Sequence, residues 1–284
     1  MPLNLAAIDA IDVHVHAWAP GAGDDPMVQQ AARYFGDVQL PQSLDDVAAY
    51  YRERRMAAVI FTVDAKGATG VHVSNDDVLA FAARNDDVVI PFASVDPTRG
   101  APAVIEAQRL IATGRVRGFK LHPQVQAFDP SDRAIYPFYE VVEAARLPII
   151  VHTGHSGMGT GMRAGGGIRL KYGNPMLLDD VAVDFPDMPI ILAHPSFPWQ
   201  DEALSVCLHK PQVYIDLSGW SPKYFPANLV QYANTQLKHK MLFGSDYPVL
   251  TPDRWLRDFA ALPIKDEVRP LILKENAIRL FGLT

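Results

Sequence analysis

The chain has 284 residues, 49% of them hydrophobic and 20% charged, with a formal net charge of −6. Such a composition supplies a substantial core and excludes a disordered chain, while the acidic balance gives no footprint for nucleic acid and no polybasic cluster for an anionic membrane. A single cysteine, Cys207, excludes an internal disulfide framework. The N-terminus carries no basic-then-apolar signal segment and no apolar run is long enough to span a bilayer, so a cytoplasmic location is expected.

In chain order, Ala10–Val15 reads as the first strand and runs into Asp12-Val13-His14-Val15-His16. A long connection, about 17–42, follows it, and then Ser43 as a candidate N-cap. The next residues place apolar positions 44, 47, 48 and 51 on one helix face, with Asp45 and Asp46 suited to the helix N-terminus. Ala58–Val63 is the second strand, Asn75 precedes Asp76 and Asp77 in the same capping pattern, and Val88–Ser94 is the third strand. Strands four and five, Val116–Leu121 and Pro148–Val151, are separated by helical sequence opening near Pro137, as Pro102 opens the helix before them.

A second long connection, about 153–173, carries Gly157, Gly159, Gly161, Gly165, Gly166 and Gly167. It matches neither GxGxxG nor a P-loop, so a mobile substrate loop is expected there rather than a phosphate cradle. Pro175 opens a helix, and Pro189–Ala193, Val213–Leu217 and Lys240–Gly244 complete the strands. Pro252 opens another helix, and a last one over Asp266–Phe281 stops at Gly282, a candidate C-cap.

Short Val/Ile/Leu/Phe-rich runs alternating with amphipathic stretches imply a parallel sheet buried on both faces. Eight such units fit one closed (β/α)8 TIM barrel over 1–284, with long loops after strands 1 and 5. A doubly wound open sheet is the rival, but the Gly-rich turn it places after its first strand is replaced here by the two histidines.

Chemistry-bearing residues fall at the predicted carboxyl ends of strands, where barrel enzymes build their sites: His14, His16, Lys120, His122, His152, His194 and Asp246. Residues i and i+2 of a strand share a face, so His14 and His16 can bind one ion together, and imidazoles with a carboxylate suit zinc and related metals. Each motif alone has a plainer reading as hydrogen-bonded structural histidines or a capping aspartate; taken in order on strands one, five, six and eight, they read as a metal site.

With those motifs in hand, the chain resembles the amidohydrolase superfamily, in the amidohydrolase-related branch that includes aminocarboxymuconate-semialdehyde decarboxylase and pyrone-dicarboxylate lactonase. The resemblance runs from Asp12-Val13-His14-Val15-His16 to Asn276-Ala277-Ile278-Arg279-Leu280-Phe281. It implies a divalent metal, zinc or manganese, on His14, His16, His152 and Asp246. His194 is implied to polarise substrate or transfer protons, and Asp246 to move a proton as well. In binuclear members a carboxylated lysine bridges two metals, which makes Lys120, with His122, a candidate second-metal or substrate residue. A mononuclear site is the expectation in this branch.

The resemblance implies a metal-activated water attacking a carbonyl-containing small molecule, at an ester or lactone, amide or β-keto C–C bond. The stretch Tyr214–Phe225 is similar to hydroxyphenyl-β-ketoacyl-CoA hydrolases of aromatic-acid breakdown. The competing chemistry is non-oxidative decarboxylation of an aromatic or muconate-type acid; many decarboxylases of the branch carry glutamate where this chain has His14. A third alternative is an inactive barrel acting as a binding protein. Rim residues His155, Arg163, Arg169, Lys171, Tyr172, Trp199, Trp220 and Tyr224 are candidates for a carboxylated or aromatic substrate. Aromatic residues near the loops are compatible with a homodimer.

Overall fold

The structure, a computed structural model, describes residues 3–18, 22–36, 38, 41, 43–65 and 73–284. All eight expected strands form: β1 (Ala10–His16), β2 (Met56–Phe61), β3 (Val89–Pro91), β4 (Phe119–Leu121), β5 (Ile149–His152), β6 (Ile190–Ala193), β7 (Val213–Asp216) and β8 (Met241–Leu242). They pair in parallel and in sequence order, as one sheet of β1 to β3 and another of β4 to β8. Backbone hydrogen bonds cross both seams. Ala93 donates to Gly118 and Lys120 to Ala93 between β3 and β4, while Val13 donates to Phe243 and His16 to Tyr247 between β8 and β1. The result is a parallel α/β barrel, and no helix among the described residues is long and apolar enough to cross a membrane.

Strand alternation sorts the core into two layers. Ile11, Val13, Ala57, Val59, Phe61, Ile150, Ile191 and Leu242 pack inside the barrel. Their neighbours Ala10, Val15, Ala58, Ile60, Ile149, Val151, Ile190 and Met241 face the helices. This is period-two patterning closed on itself.

The pattern breaks once, in β1, where the register with β2 shifts between Asp12 and Val15. Val13 packs inside and Val15 outside, so the shift re-aims the chain and brings His14 and His16 to the inner side after Val13. A bulge beside a functional site is a common device for redirecting a side chain.

Helix starts follow their caps. The Ser43 side chain accepts from Asp46 N, as expected. At the next helix, Asn75–Arg84, the cap is Ser74, which accepts from Asp77 N, and not Asn75. Ser74 stands three residues before Asp77, the reach a capping hydroxyl needs; Asn75 instead exchanges two hydrogen bonds of 2.8 Å with the Ser94 backbone. The last helix contains a π turn over Leu271–Glu275 before Asn276–Phe281, and Gly282 closes it at φ 59°. The first long connection holds an unforeseen helix, Pro26–Tyr34, capped by Asp25. Other parts of that connection (19–21, 37, 39, 40 and 42) lie outside the described residues.

Candidate metal centre

His14, His16, Lys120, His122, His152, His194 and Asp246 all reach the carboxyl-end mouth of the barrel. His14 and Lys120 are wholly buried, and His122, His152, His194 and Asp246 are buried to more than nine-tenths. His14 Nε2 lies 3.3 Å from Asp246 Oδ1, and His16 Nε2 lies 3.1 Å from the same oxygen. His194 Nε2 faces His152 Nδ1 at 3.1 Å, and the His152 ring stacks on His122 with centroids 3.9 Å apart. Donor atoms of His14, His194 and Asp246 all lie within 4.8 Å of one another. His16 adjoins that trio through Asp246, and His152 through His194.

Backbone strain accompanies this convergence. His194 and Asp246 adopt φ of 73° and 72°, a left-handed conformation that costs a non-glycine residue about 1–3 kcal/mol and persists where the surroundings enforce it. Gly219 packs under the His194 ring, where a Cβ would come within 2.5 Å of Nδ1. Gly244 leaves room for Asp216 in the same way, at 2.2 Å from Oδ1.

Two buried carboxylates anchor the histidine strand. Asp12 accepts from His14 N, from Ser245 N and Oγ, and from the Tyr51 hydroxyl, tying β1 to the segment that carries Asp246. Burial pushes Asp12 up to about 6 against those donors. Asp216, at the end of β7, meets His14 Nδ1 at 2.5 Å and accepts from Ser218 Oγ and N, each at 2.9 Å. Ser218 Oγ also lies 2.9 Å from His194 Nδ1. Lys120 Nζ stands 3.1 Å from His14 Nε2. With an amine donor at one ring nitrogen and a carboxylate at the other, the His14 hydrogen sits on Nδ1 and its lone pair on Nε2, toward the mouth.

Electrostatics suit ligation. Burial, reinforced by Lys120, holds His14 well below the ordinary histidine range. Burial does the same to His122 and His152, and lowers His194 to about 4 against the opposing charge of Asp246. Burial alone would raise Asp246, but the His16 hydrogen bond and the nearby His194, His16 and Lys120 charges hold it below the usual carboxylate value. Burial also lowers Lys120 to about 8, with Asp246 and Asp216 opposing. Neutral imidazoles beside an ionised carboxylate are the forms that bind a divalent ion.

Spacing gives a second test of fit. Two donors, each about 2.0–2.1 Å from a tetrahedral ion, stand about 3.4 Å apart. The contacts of Asp246 with His14 and His16, at 3.3 and 3.1 Å, are close to that separation. The donors that lie within 4.8 Å of one another, on His14, His194 and Asp246, therefore fit a divalent metal.

A cavity of about 160 Å³ opens from this centre, reaching His16, His122, His152, His194 and Asp246. Its outer wall includes Trp18, Val28, Ala31, Phe35, Val125 and Met158. Arg163, Arg169, Lys171, Tyr172, Trp199, Trp220 and Tyr224 are not among the lining residues. Arg163 and Lys171 are solvent-exposed, Tyr224 is 62% exposed, and Trp220 packs against Phe197 at 5.4 Å. His155 lies beside the Tyr34 ring, at 6.0 Å, next to the cavity residue Ser156. Sequence reasoning missed Asp12, Asp216 and Ser218. Asp216 meets the same strand-end criterion that selected the histidines.

A barrel with an imidazole–carboxylate cluster at the carboxyl ends of its strands defines a class of metal-dependent enzyme. A family model described as amidohydrolase matches residues 11–283, and the chain belongs to the amidohydrolase family. No curated protein matches it. Among solved structures, an uncharacterized TIM-barrel protein from Bordetella bronchiseptica is similar at 26% identity and TM-score 0.78, covering 96% of this chain and 98% of that one. A probable 2-pyrone-4,6-dicarboxylic acid hydrolase from Acinetobacter baumannii, with citric acid bound, is similar at 17% identity and TM-score 0.64, with 97% and 100% covered. A 5-carboxyvanillate decarboxylase from Novosphingobium aromaticivorans, with bound manganese, is similar at 13% identity and TM-score 0.71, with both chains wholly covered. The last two likenesses establish the fold.

Proposed function

We propose that the protein is a metal-dependent hydrolase of a carbonyl-containing small molecule, cleaving an ester or lactone, an amide or a β-keto C–C bond. The observation that carries this reading is the convergence of His16, His152, His194 and Asp246 at one cavity floor, with His14 wholly buried beside Asp246 and locked from behind by Asp216. One ion, zinc before manganese, would be held by His14, His16, His152 and Asp246. A bound divalent ion supplies Lewis acidity, polarising a carbonyl and lowering the pKa of water.

The chain's own groups then divide the work. Asp246, ionised and in contact with His16 Nε2, takes the proton of the attacking water on a carboxylate oxygen and returns it to the leaving group. His194, whose Nδ1 hydrogen bonds Ser218 Oγ, presents the Nε2 lone pair toward the same centre, where it can hold a proton in transit.

Asp246→Asn is expected to lower turnover of lactone, ester and β-keto thioester substrates by about 10²–10⁴-fold, with an unchanged circular dichroism spectrum. Near-wild-type turnover in that variant removes Asp246 from this role. Non-oxidative decarboxylation is the competing chemistry for the same residues; carbon dioxide release from aromatic acids, with no turnover of carbonyl substrates, would establish it instead.

A further inference from the structure

His122 takes no part in holding the ion or moving the proton, yet it lines the same cavity as His16, His152, His194 and Asp246. It follows β4 directly and is 6% exposed. Its ring lies flat on the His152 ring, with centroids 3.9 Å apart and planes 8° from parallel. Its backbone N donates to Gln126 Oε1 at 2.7 Å, and Gln126 Nε2 donates in turn to Asp64 O at 3.1 Å. A buried glutamine thus seats the residue, and the stack fixes the plane of its ring.

The two ring nitrogens differ. Among the described residues, three buried side-chain atoms lack a hydrogen-bond partner: Trp18 Nε1, His122 Nδ1 and Gln124 Oε1. A hydrogen on His122 Nδ1 would be a sealed N–H with no acceptor, the rarest kind of orphan, whereas a bare lone pair there forfeits less. The single hydrogen of the neutral ring therefore sits on Nε2. A second hydrogen would put a charge and an orphan N–H on the same sealed edge, and burial, with Lys120 nearby, holds the ring neutral. Nε2 is not sealed, and it too has no partner among the described residues. For a side chain buried on its other sides, the space beside Nε2 is the cavity.

A donor is what the rest of the group lacks. His14 and His194 hold their hydrogens on Nδ1, against Asp216 and Ser218, and turn lone pairs to the centre. His152 donates from Nε2 to His155 O at 3.3 Å, which leaves its Nδ1 lone pair facing His194. These groups accept, and a carbonyl oxygen that gains negative charge needs a donor.

We infer that His122 donates a hydrogen bond from Nε2 to the oxygen of the substrate's reacting carbonyl. This inference rests on the metal-centre reading above and adds to it the residue that meets the charge developing on that oxygen.

Two measurements on the zinc-loaded protein test it. Long-range proton–nitrogen correlation spectra of histidine-labelled protein read the tautomer, and the His122 hydrogen is expected on Nε2. The second is calorimetric binding of acetohydroxamic acid, whose carbonyl oxygen stands in for that of the substrate. His122→Phe keeps a flat ring over His152 and removes the donor, so it is expected to weaken hydroxamate binding by about 10–100-fold. Zinc affinity, read by chelator competition, should stay within about twofold of wild type, short of the loss that follows when a ligand's support is removed.

A hydrogen on Nδ1 overturns the inference, as does unchanged hydroxamate affinity in folded His122→Phe. Equal losses of zinc and hydroxamate affinity overturn it too, because His122 would then only support His152. The wild-type tautomer decides the question if that variant does not fold. Failure of acetohydroxamic acid to bind the wild type sinks the metal-centre reading, and the inference with it; normal binding there with no loss in the variant sinks the inference alone.

Discussion

Replacing Asp216 with asparagine changes almost no volume but reverses hydrogen-bonding sense at one atom. In the native site, Oδ2 meets His14 Nδ1 at 2.5 Å and accepts from Ser218 Oγ, while Oδ1 accepts from Ser218 N. Oδ1 occupies the space that a side chain at Gly244 would fill. An asparagine that keeps the Ser218 N bond turns its amide hydrogens toward His14 Nδ1. His14 must then carry its hydrogen on Nε2, the nitrogen that lies 3.3 Å from Asp246, and lose the lone pair an ion needs.

Removing such a supporting partner typically lowers metal affinity 10–100-fold, about 1.4–2.8 kcal/mol. The apo fold should not suffer. Burial holds the Asp216 carboxyl well above its ordinary range, and a carboxyl raised on folding makes folding less favourable as pH climbs through that interval. Neutralising it therefore removes a desolvation penalty at pH 7 rather than a favourable charge. The assay is zinc titration of demetallated protein against a chromophoric chelator, with circular dichroism as the folding control. Zinc affinity within about twofold of wild type in a folded Asp216→Asn would refute the reasoning.

The roles of the two facing histidines can be separated in the same way. His152→Ala is expected to lose metal, while His194→Ala keeps metal and loses turnover; the reverse, read by elemental analysis, would exchange their assignments. Gly219→Ala introduces a Cβ at φ 72°, 2.5 Å from His194 Nδ1. It should cost about 1–2 kcal/mol of stability and displace His194, so that turnover falls while metal content is retained. Unaltered turnover would show that His194 needs no such seat.

Strand-by-strand legibility followed from a simple property of parallel barrels: strands buried on both faces stand out as short apolar runs, and the residue that ends each run is at the mouth. His152 and His194 were readable for that reason, and Asp216 was readable but passed over, because an aspartate closing Tyr214-Ile215-Asp216 lacks the spacing signal of His14 and His16. The bulge in β1 was not legible, since the alternation of Ile11, Val13 and Val15 looks unbroken until pairing with β2 places Val13 and Val15 on opposite sides.

The outer wall was the least legible part. Its helix lies in the long connection after β1, where only the Asp25-Pro26 pair signals a start. Rim cations and aromatics such as Arg163 and Tyr224 stood out as residue types, yet which side chains line the cavity depends on how the Gly157 and Gly166 backbones meet Phe35 and Met27, and sequence spacing does not encode that.

The central claim is that the imidazole–carboxylate group binds a catalytic divalent ion. Elemental analysis of purified wild type and His14→Ala tests it most directly. The account predicts about one zinc or manganese per chain in the wild type, lost in the variant. Absence of metal from the wild type even after reconstitution, or equal metal in a folded His14→Ala, would contradict it.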